Sequence, residues 1–144
     1  MTKQLTLTDI ENLHEAAQAV LVELSRKVKQ RAPAVTAILG KASNERFPLF
    51  SYVSFEDKKL PHLDPVVVGT DVRLDGDQWV IRTDICGEDT GELYLEPEYY
   101  HVPATGGDEL LLQAVITQTQ HLADRALLEI PRLFAKTEAL RAPA

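Results

Sequence analysis

Apolar residues recur every three or four positions near both ends of the chain, which is the period of an amphipathic helix. The first stripe consists of Ile10, Leu13, Ala17, Val20, Leu21, Leu24 and Val28. Thr8 and Glu11 have the spacing of a capping box, so this pattern predicts a helix over 8–31. The second stripe consists of Leu112, Ile116, Thr119, Ala123, Ala126 and Ile130. It predicts a long helix over 108–130 that Pro131 kinks or ends, with a continuation to about residue 140.

The residues between these two helices favour strands. Residues 49–55 are rich in aromatic and β-branched side chains and follow Pro48, which is typical of a strand. Residues 34–39 lie between Pro33 and Gly40, two residues that commonly bound helices, and are predicted to form a short second helix.

A tight hairpin is indicated at Asp75-Gly76, because both residues accept the positive φ of a type I′ turn. With this turn, Val72 lies opposite Trp79. The side chains that point to one side of the hairpin are then mostly apolar and those on the other side mostly polar, as expected of a half-buried antiparallel sheet.

A second hairpin is predicted around Gly91, which takes the left-handed position of a three-residue loop. In its register, Ile85 lies opposite Leu93 on the apolar face and Arg82 lies opposite Glu96 on the polar face. Pro97 ends the regular pairing, and residues 98–103 form an edge strand or an ordered loop.

Together these elements predict a single α+β domain over residues 1–144. An N-terminal helix and a long C-terminal helix cover one face of a four- or five-stranded antiparallel meander that spans about 48–102. The predicted buried face of the sheet consists of Val66, Val68, Val72, Trp79, Ile81, Ile85, Leu93 and Leu95. The predicted helical residues packed against it are Leu13, Val20, Leu24, Leu112, Ile116, Ala123 and Leu127.

Composition narrows the class of protein. The 144 residues are 44% hydrophobic and 26% charged, which is typical of a globular chain. No apolar run approaches the ~20 residues that span a bilayer. The first residues lack the apolar stretch of a secretory signal, and the single cysteine cannot form an internal disulfide. We therefore expect a cytoplasmic protein with no membrane partner.

The charge is acidic and unevenly distributed. The formal net charge is -7 and the pI is near 5.0, which argues against nucleic-acid binding because that affinity comes mainly from lysine and arginine. Residues 61–109 carry two arginines against twelve aspartates and glutamates. An acidic surface of this kind either keeps a protein in solution or attracts a basic partner.

The sequence contains no phosphate-binding glycine loop, nucleophile elbow or zinc-protease motif. Cys86 has the acidic neighbours Asp84, Glu88 and Glu92, whose charge raises the pKa of a thiol and so disfavours a nucleophilic role. The four histidines lack the spacing of a helical metal site. We therefore expect no catalytic residue, no metal and no cofactor.

The leading hypothesis is a non-enzymatic binding module, of the inhibitor, immunity-protein or adaptor type, that engages a basic protein partner through the polar sheet face. The residues expected to bind that partner are Asp71, Asp84, Glu88, Asp89, Glu92, Tyr94 and Glu96. The alternative is a small-molecule or metal-dependent site, binding or catalytic, between a helix and the sheet. Its residues are His62, Asp64, Glu98 and His101. The broad apolar face of the last helix also leaves a homo-oligomer open.

Overall fold

The computed structural model describes residues 5–44, 47–60, 63–105 and 108–141. Over these ranges the chain forms one helix, five strands and a second helix, in that order. The helices are α1 (Leu7–Arg31) and α2 (Asp108–Arg141). The strands are β1 (Val35–Ala42), β2 (Leu49–Asp57), β3 (Val66–Asp75), β4 (Gln78–Gly87) and β5 (Leu93–Pro103).

The five strands form one antiparallel sheet in which each strand pairs with the next along the chain. Helix α1 packs on β1 and β2, helix α2 packs on β3, β4 and β5, and the two helices contact each other. The predicted α+β fold, a meander with both helices on one side, is confirmed. The helix-covered side is called the inner face below, and the opposite side is called the outer face.

The N-cap of α1 is Thr6, two residues before the predicted cap Thr8. The Thr6 hydroxyl accepts a hydrogen bond of 3.1 Å from the Asp9 amide, and the Asp9 carboxylate accepts one of 2.9 Å from the Thr6 amide. Thr8 and Glu11 have the same spacing, but both lie inside the helix. The prediction that they form the capping box is therefore wrong, because the box closes two residues earlier.

Helix α2 continues on both sides of Pro131, so the proline does not end it. A proline has no amide hydrogen, and the carbonyl of Leu127, four residues earlier, consequently lacks its helical donor. The Arg31 guanidinium, at the end of α1, donates to that carbonyl at 3.2 Å. The neighbouring helix thus satisfies the acceptor that Pro131 leaves open.

Residues 34–39 do not form the predicted second helix, because β1 occupies this segment. The strand pairs with β2 over eight consecutive positions, from Val35 opposite Asp57 to Ala42 opposite Phe50. Val35 is buried against the core. The ladder to β2 overrides the helix-bounding residues Pro33 and Gly40, and the sheet has five strands.

The hairpin between β3 and β4 has the predicted faces but a different turn. Asp75 pairs with Gln78, so the two-residue turn is Gly76-Asp77, and Gly76 has a φ of 63°. A positive φ at the first turn position only is the pattern of a type II′ turn. The predicted pairing of Val72 with Trp79 is therefore wrong by two residues, a shift that leaves every side chain on its predicted face.

The pairing of β4 with β5 departs further from the prediction. The register shifts between Thr83 and Cys86, so Arg82 lies opposite Tyr99 and not opposite Glu96. Leu93, predicted to be buried, lies opposite Cys86 on the outer side and is 47% exposed. Gly91 has a φ of 70° at its predicted left-handed position. The ladder is irregular between Thr83 and Cys86 and regular from Glu98 to Pro103, so the prediction that Pro97 ends the regular pairing is wrong.

The core lies between the helices and the inner face. Among the predicted core residues, Leu13, Leu24, Val66, Val68, Val72, Trp79, Ile81, Ile85 and Ala123 are buried. The predicted core residues Val20, Leu95, Leu112, Ile116 and Leu127 are half-buried. Most of the buried apolar side chains fall into two clusters, one around Phe55, Ile85 and Ile130 and the other around Trp79 and Leu111.

Polar residues separate these clusters. Ser51, Thr70 and Thr83 are buried on adjacent strands at directly opposite positions of the inner face, and Lys41 and Glu98 continue the same row on the edge strands. His14 of α1 lies 2.9 Å from the Ser51 hydroxyl, and Thr119 of α2 lies 3.0 Å from the Thr70 hydroxyl. The five side chains Lys41, Ser51, Thr70, Thr83 and Glu98 are called the polar row below.

Neither helix has the composition of a membrane span. Within the described residues, α1 and α2 contain no stretch that is both long enough and apolar enough to cross a bilayer.

Candidate functional site

The outer face of the sheet contains a cavity of about 320 Å³ near the hairpin that joins β1 to β2. The helices lie on the inner face, so they do not cover it. Its lining combines apolar and charged side chains, which is the composition expected of a ligand pocket. The lining residues are Ala42, Asn44, Phe47, Phe50, Val67, Asp71, Arg82, Asp84 and Cys86.

The strand register explains how these side chains come together. Phe50, Asp71, Arg82 and Tyr99 occupy one row across β2, β3, β4 and β5, because each lies directly opposite the next. Residues two positions apart on a strand point to the same face, so Asp84 stands beside Arg82. An aromatic ring, a carboxylate, a guanidinium and a second ring therefore follow one another across the outer face.

The two carboxylates of the cavity are held in a poorly hydrated position. Burial raises the pKa of Asp71 to about 6, Arg82 acts against this shift, and the charge of Asp84 adds to it. Burial also raises the pKa of Asp84, again opposed by Arg82. Desolvation thus outweighs Arg82 for both acids, and it also outweighs the smaller effect of Arg73 on Asp71. The ionised forms of both acids are therefore less stabilised than they would be in water.

Among the described residues that line the cavity, Arg82 is the only cation. Its Nη2 lies 3.1 Å from the Asp84 carboxylate, and its guanidinium carbon lies 5.9 Å from the centre of the Tyr99 ring. Its Nε is buried and has no hydrogen-bond partner within the described chain. The guanidinium is therefore held between one carboxylate and one ring, with part of its donor capacity unused.

Aromatic rings and glycines pack against each other on the outer face at and beside the cavity. The Phe50 and Tyr52 rings lie 5.0 Å apart, centre to centre. Phe50 crosses Gly69, where a Cβ atom would lie 3.0 Å from the Phe50 ring, and Tyr52 crosses Gly40 so closely that a Cβ there would overlap its ring. Glycine at these two positions lets the rings lie flat on neighbouring strands.

Cys86 lines the cavity as a thiol of low reactivity. Burial and the charge of Asp84 raise its pKa, Arg82 lowers it to a smaller extent, and Asp64 adds to the increase. Because the thiolate is the nucleophilic form, these neighbours disfavour covalent chemistry at this sulfur.

The structure places the predicted partner-binding residues in two groups. Asp71 and Asp84 meet in the cavity. The others lie on the hairpin between β4 and β5 or on β5 itself, outside the cavity lining. Tyr94 is half-buried and packs against the core, whereas the remaining members are exposed. These exposed residues are Glu88, Asp89, Glu92 and Glu96.

The members of the alternative site are not brought together where the structure describes them. The Asp64 carboxylate accepts hydrogen bonds from the Asp89 and Thr90 amides, at 2.9 and 3.1 Å, and so fastens the β4–β5 hairpin. Glu98 accepts a hydrogen bond from Arg125 and lies 3.4 Å from His121.

The other two members of that site lie elsewhere. His101 lines a separate groove of about 270 Å³ between β5 and α2. His62 lies outside the described residues. Among the residues that the structure describes, no three histidine, cysteine or acidic side chains are grouped closely enough to hold a metal ion.

The sequence pattern did not indicate the apolar half of the cavity or the role of Arg82 in it. Phe50 and Val67 point outward from β2 and β3, where a half-buried sheet normally carries polar residues. These apolar residues at outward positions are the signal in the sequence that could have indicated the cavity. Phe47 could not be assigned in this way, because it lies in the hairpin before β2 and reaches the cavity only through the tertiary fold.

Comparison with protein-family models, with curated proteins and with solved structures finds no match to this chain.

Proposed function

We propose that this chain is a non-enzymatic binding module whose outer-face cavity takes an arginine side chain from a basic segment of a partner protein. The observation that carries this proposal is the charge arrangement of the cavity. Its described lining holds two partly buried carboxylates, Asp71 and Asp84, and one guanidinium, that of Arg82, while Arg73 acts more weakly on Asp71 from outside the lining. A cation that enters the cavity supplies the opposite charge that these carboxylates lack.

Desolvation and charge favour a cation over other ligands. At neutral pH an ionised Asp71 is unfavourable in the free protein, because burial raises its pKa to about 6. A bound cation stabilises the ionised form and relieves that penalty. An anion would meet the two carboxylates, and a neutral apolar group would bury them further without compensation.

The cavity walls favour arginine among cations. A guanidinium is planar and donates two parallel hydrogen bonds to a carboxylate, and it also stacks on aromatic rings. Asp71 supplies the acceptor, and Phe47 and Phe50 supply ring surfaces in the same cavity. A lysine ammonium would gain the charge interaction without the stacked geometry.

The acidic hairpin beyond the cavity supports binding at longer range. Glu88, Asp89 and Glu92 are exposed on or beside the loop between β4 and β5, and their charge attracts a basic segment before contact. We place this module in the cytoplasm, where its half-buried Cys86 thiol stays reduced.

A peptide titration tests the proposal directly. The probe is a blocked Gly-Arg-Gly tripeptide added to the isotope-labelled chain at millimolar concentration, and amide chemical shifts report where it binds. We expect shifts at Phe50, Val67, Asp71 and Arg82, and much smaller shifts with the matching Gly-citrulline-Gly peptide, which has the same shape but no charge. Absence of arginine-dependent shifts at these amides would show that the cavity does not take a guanidinium.

A matched pair of variants connects the cavity to a protein partner. Asp71→Asn removes a cavity charge and leaves the Arg82–Asp84 ion pair in place, whereas Asp75→Asn removes the same charge from the exposed end of β3. A partner captured by the wild-type chain should be lost with Asp71→Asn and kept with Asp75→Asn. Its capture should also weaken as the ionic strength rises to about 0.15 M, where charges are screened beyond about 8 Å. Equal retention by both variants contradicts the proposal.

A further inference from the structure

Strand β1 is an open edge of the sheet. It pairs with β2 along its whole length, and no other described strand pairs with its second side. An open edge exposes backbone donors and acceptors that can pair with a further strand.

The two edges of the sheet differ in how they are protected. Strand β5, at the opposite edge, contains Pro97 and Pro103, shifts its register against β4, and carries Glu96 and Glu98. Prolines, irregular pairing and charges are the usual means by which proteins prevent an edge strand from pairing. Strand β1 contains no proline and no acidic residue, and Lys41 is its one charged residue.

Apolar side chains extend from the β1 edge on both faces of the sheet. Ile38 is 58% exposed on the outer side, and Leu39 is 39% exposed on the inner side. On α1, the Gln18 side chain donates to the Gly40 carbonyl at 2.8 Å, which places this side of the helix over the β1 edge. Val22, one turn after Gln18, is 50% exposed on the same side.

We propose that a second copy of this chain pairs antiparallel with β1, so that two five-stranded sheets join into one ten-stranded sheet. Charge favours a second copy as the occupant. The acidic excess of the chain lies in residues 61–109, which contain β3, β4 and β5. Two copies that meet at β1 therefore bring their less acidic parts together.

Symmetry also favours a second copy. Under a two-fold axis perpendicular to the sheet, each β1 meets an identical strand, and Ile38 and Leu39 of one copy lie near the same residues of the other. The α1 helices of the two copies then lie side by side on the inner face, and Val22 adds to the buried apolar surface. A basic partner of the kind proposed for the cavity would find no acidic residue on β1 to bind.

The mass in solution tests this interface. Light scattering coupled to size-exclusion chromatography should give twice the 16.0 kDa chain mass for the wild type. Ile38→Lys places two like charges near the axis and should give the mass of one chain, with an unchanged circular dichroism spectrum. Leu74→Lys is the matched control, because Leu74 is an exposed leucine at the distant end of β3, and it should stay dimeric.

A crosslink locates the contact independently of stability. In a Cys86→Ser background, Ile38→Cys should form a disulfide-linked dimer when copper–phenanthroline oxidises the two thiols, whereas Leu74→Cys should not. A wild-type chain that stays monomeric at all concentrations up to the solubility limit overturns the proposal. A dimer that persists in Ile38→Lys and does not crosslink through residue 38 also overturns it. Neither result depends on whether the outer-face cavity binds arginine.

Discussion

The Arg31 guanidinium donates a hydrogen bond of 3.2 Å to the carbonyl of Leu127, the residue four positions before Pro131. The two residues are far apart in the chain and belong to different helices. A proline inside a helix normally costs about 3 kcal/mol, partly through the carbonyl that it leaves without a donor. Here α1 supplies that donor, so the contact couples the end of α1 to the middle of α2.

This coupling predicts a non-additive pair of substitutions. Arg31→Met should lower the free energy of unfolding by about 0.5–1.5 kcal/mol, the net contribution of one hydrogen bond. In a Pro131→Ala background the same change should have a smaller effect, since the new amide at residue 131 donates to Leu127. Denaturant unfolding of the four proteins of this cycle measures the difference. Equal effects of Arg31→Met in both backgrounds would show that the contact does not compensate for the proline.

The buried His14 predicts a loss of stability in mild acid. Burial, with a smaller effect from Lys41, lowers the pKa of His14 below its ordinary value of 6.5, so the folded state holds the imidazole neutral. As the pH falls through 6.5, the unfolded state binds a proton that the folded state does not bind, and stability decreases. His14→Gln can keep a hydrogen bond to Ser51 and removes this proton linkage. The free energy of unfolding of the wild type, measured relative to that of His14→Gln, should therefore decrease from pH 7.5 to pH 5. A difference between the two proteins that stays constant over this range would rule out the linkage.

The Thr70 and Thr119 hydroxyls predict another cycle. Both side chains are fully buried and their oxygens are 3.0 Å apart. Thr70→Val or Thr119→Val alone leaves the other hydroxyl buried without this partner, which costs about 1–3 kcal/mol. The double variant replaces both hydroxyls by methyl groups of similar shape and should be more stable than either single variant. Thermal unfolding of all four proteins measures these stabilities. A double variant whose loss of stability equals the sum of the two single losses contradicts the prediction.

Asp71 predicts that a cavity substitution stabilises the fold. A carboxyl whose pKa is raised to about 6 in the folded state, from 3.8, destabilises the protein once it ionises. Asp71→Asn should therefore raise the free energy of unfolding at pH 8 by about 1–2 kcal/mol, after allowance for partial solvent screening. The gain should disappear near pH 4, where the carboxyl is protonated in the folded protein. A variant that is less stable than the wild type at pH 8 would show that Asp71 supports the fold.

The pattern of apolar and polar residues predicted the two long helices, the central strands and most of the buried face. Trp79 and Ile81 are buried as predicted, and Arg82 lies on the outer face. Two-residue alternation is insensitive to a shift of two positions, so the faces were correct although the β3–β4 pairing was not.

The remaining errors have local physical causes. Strand β1 is eight residues long, and most of its side chains are exposed. Its strand conformation therefore depends on pairing with β2, and the sequence of β1 alone does not show that pairing. The β4–β5 register depends on irregular residues before and around Pro97. That irregularity replaced Glu96 with Tyr99 as the neighbour of Arg82 and left Leu93 on the outer side.

The candidate site was predicted in part. Asp71 and Asp84 were identified from charge and from their shared face, and the structure places both in the cavity. The apolar wall depends on Phe50, which lies opposite Asp71 through the pairing of β2 with β3, and on Phe47, which lies in the connection before β2. Cavities of this kind arise from contacts between distant segments, and side-chain patterns within one strand do not describe them.

The polar row distinguishes the observed hairpin alignment from the one predicted from the sequence. A turn at Asp75-Gly76 and a turn at Gly76-Asp77 both keep the apolar side chains inside, so hydrophobic burial alone hardly distinguishes them. Only the second sets Thr70 opposite Thr83, whereas the first would set each threonine against an apolar residue of the other strand. The observed alignment thus keeps the buried hydroxyls of the central strands beside each other, whereas the alternative would separate them at the same apolar burial, and buried polar groups of this kind favour one pairing over another.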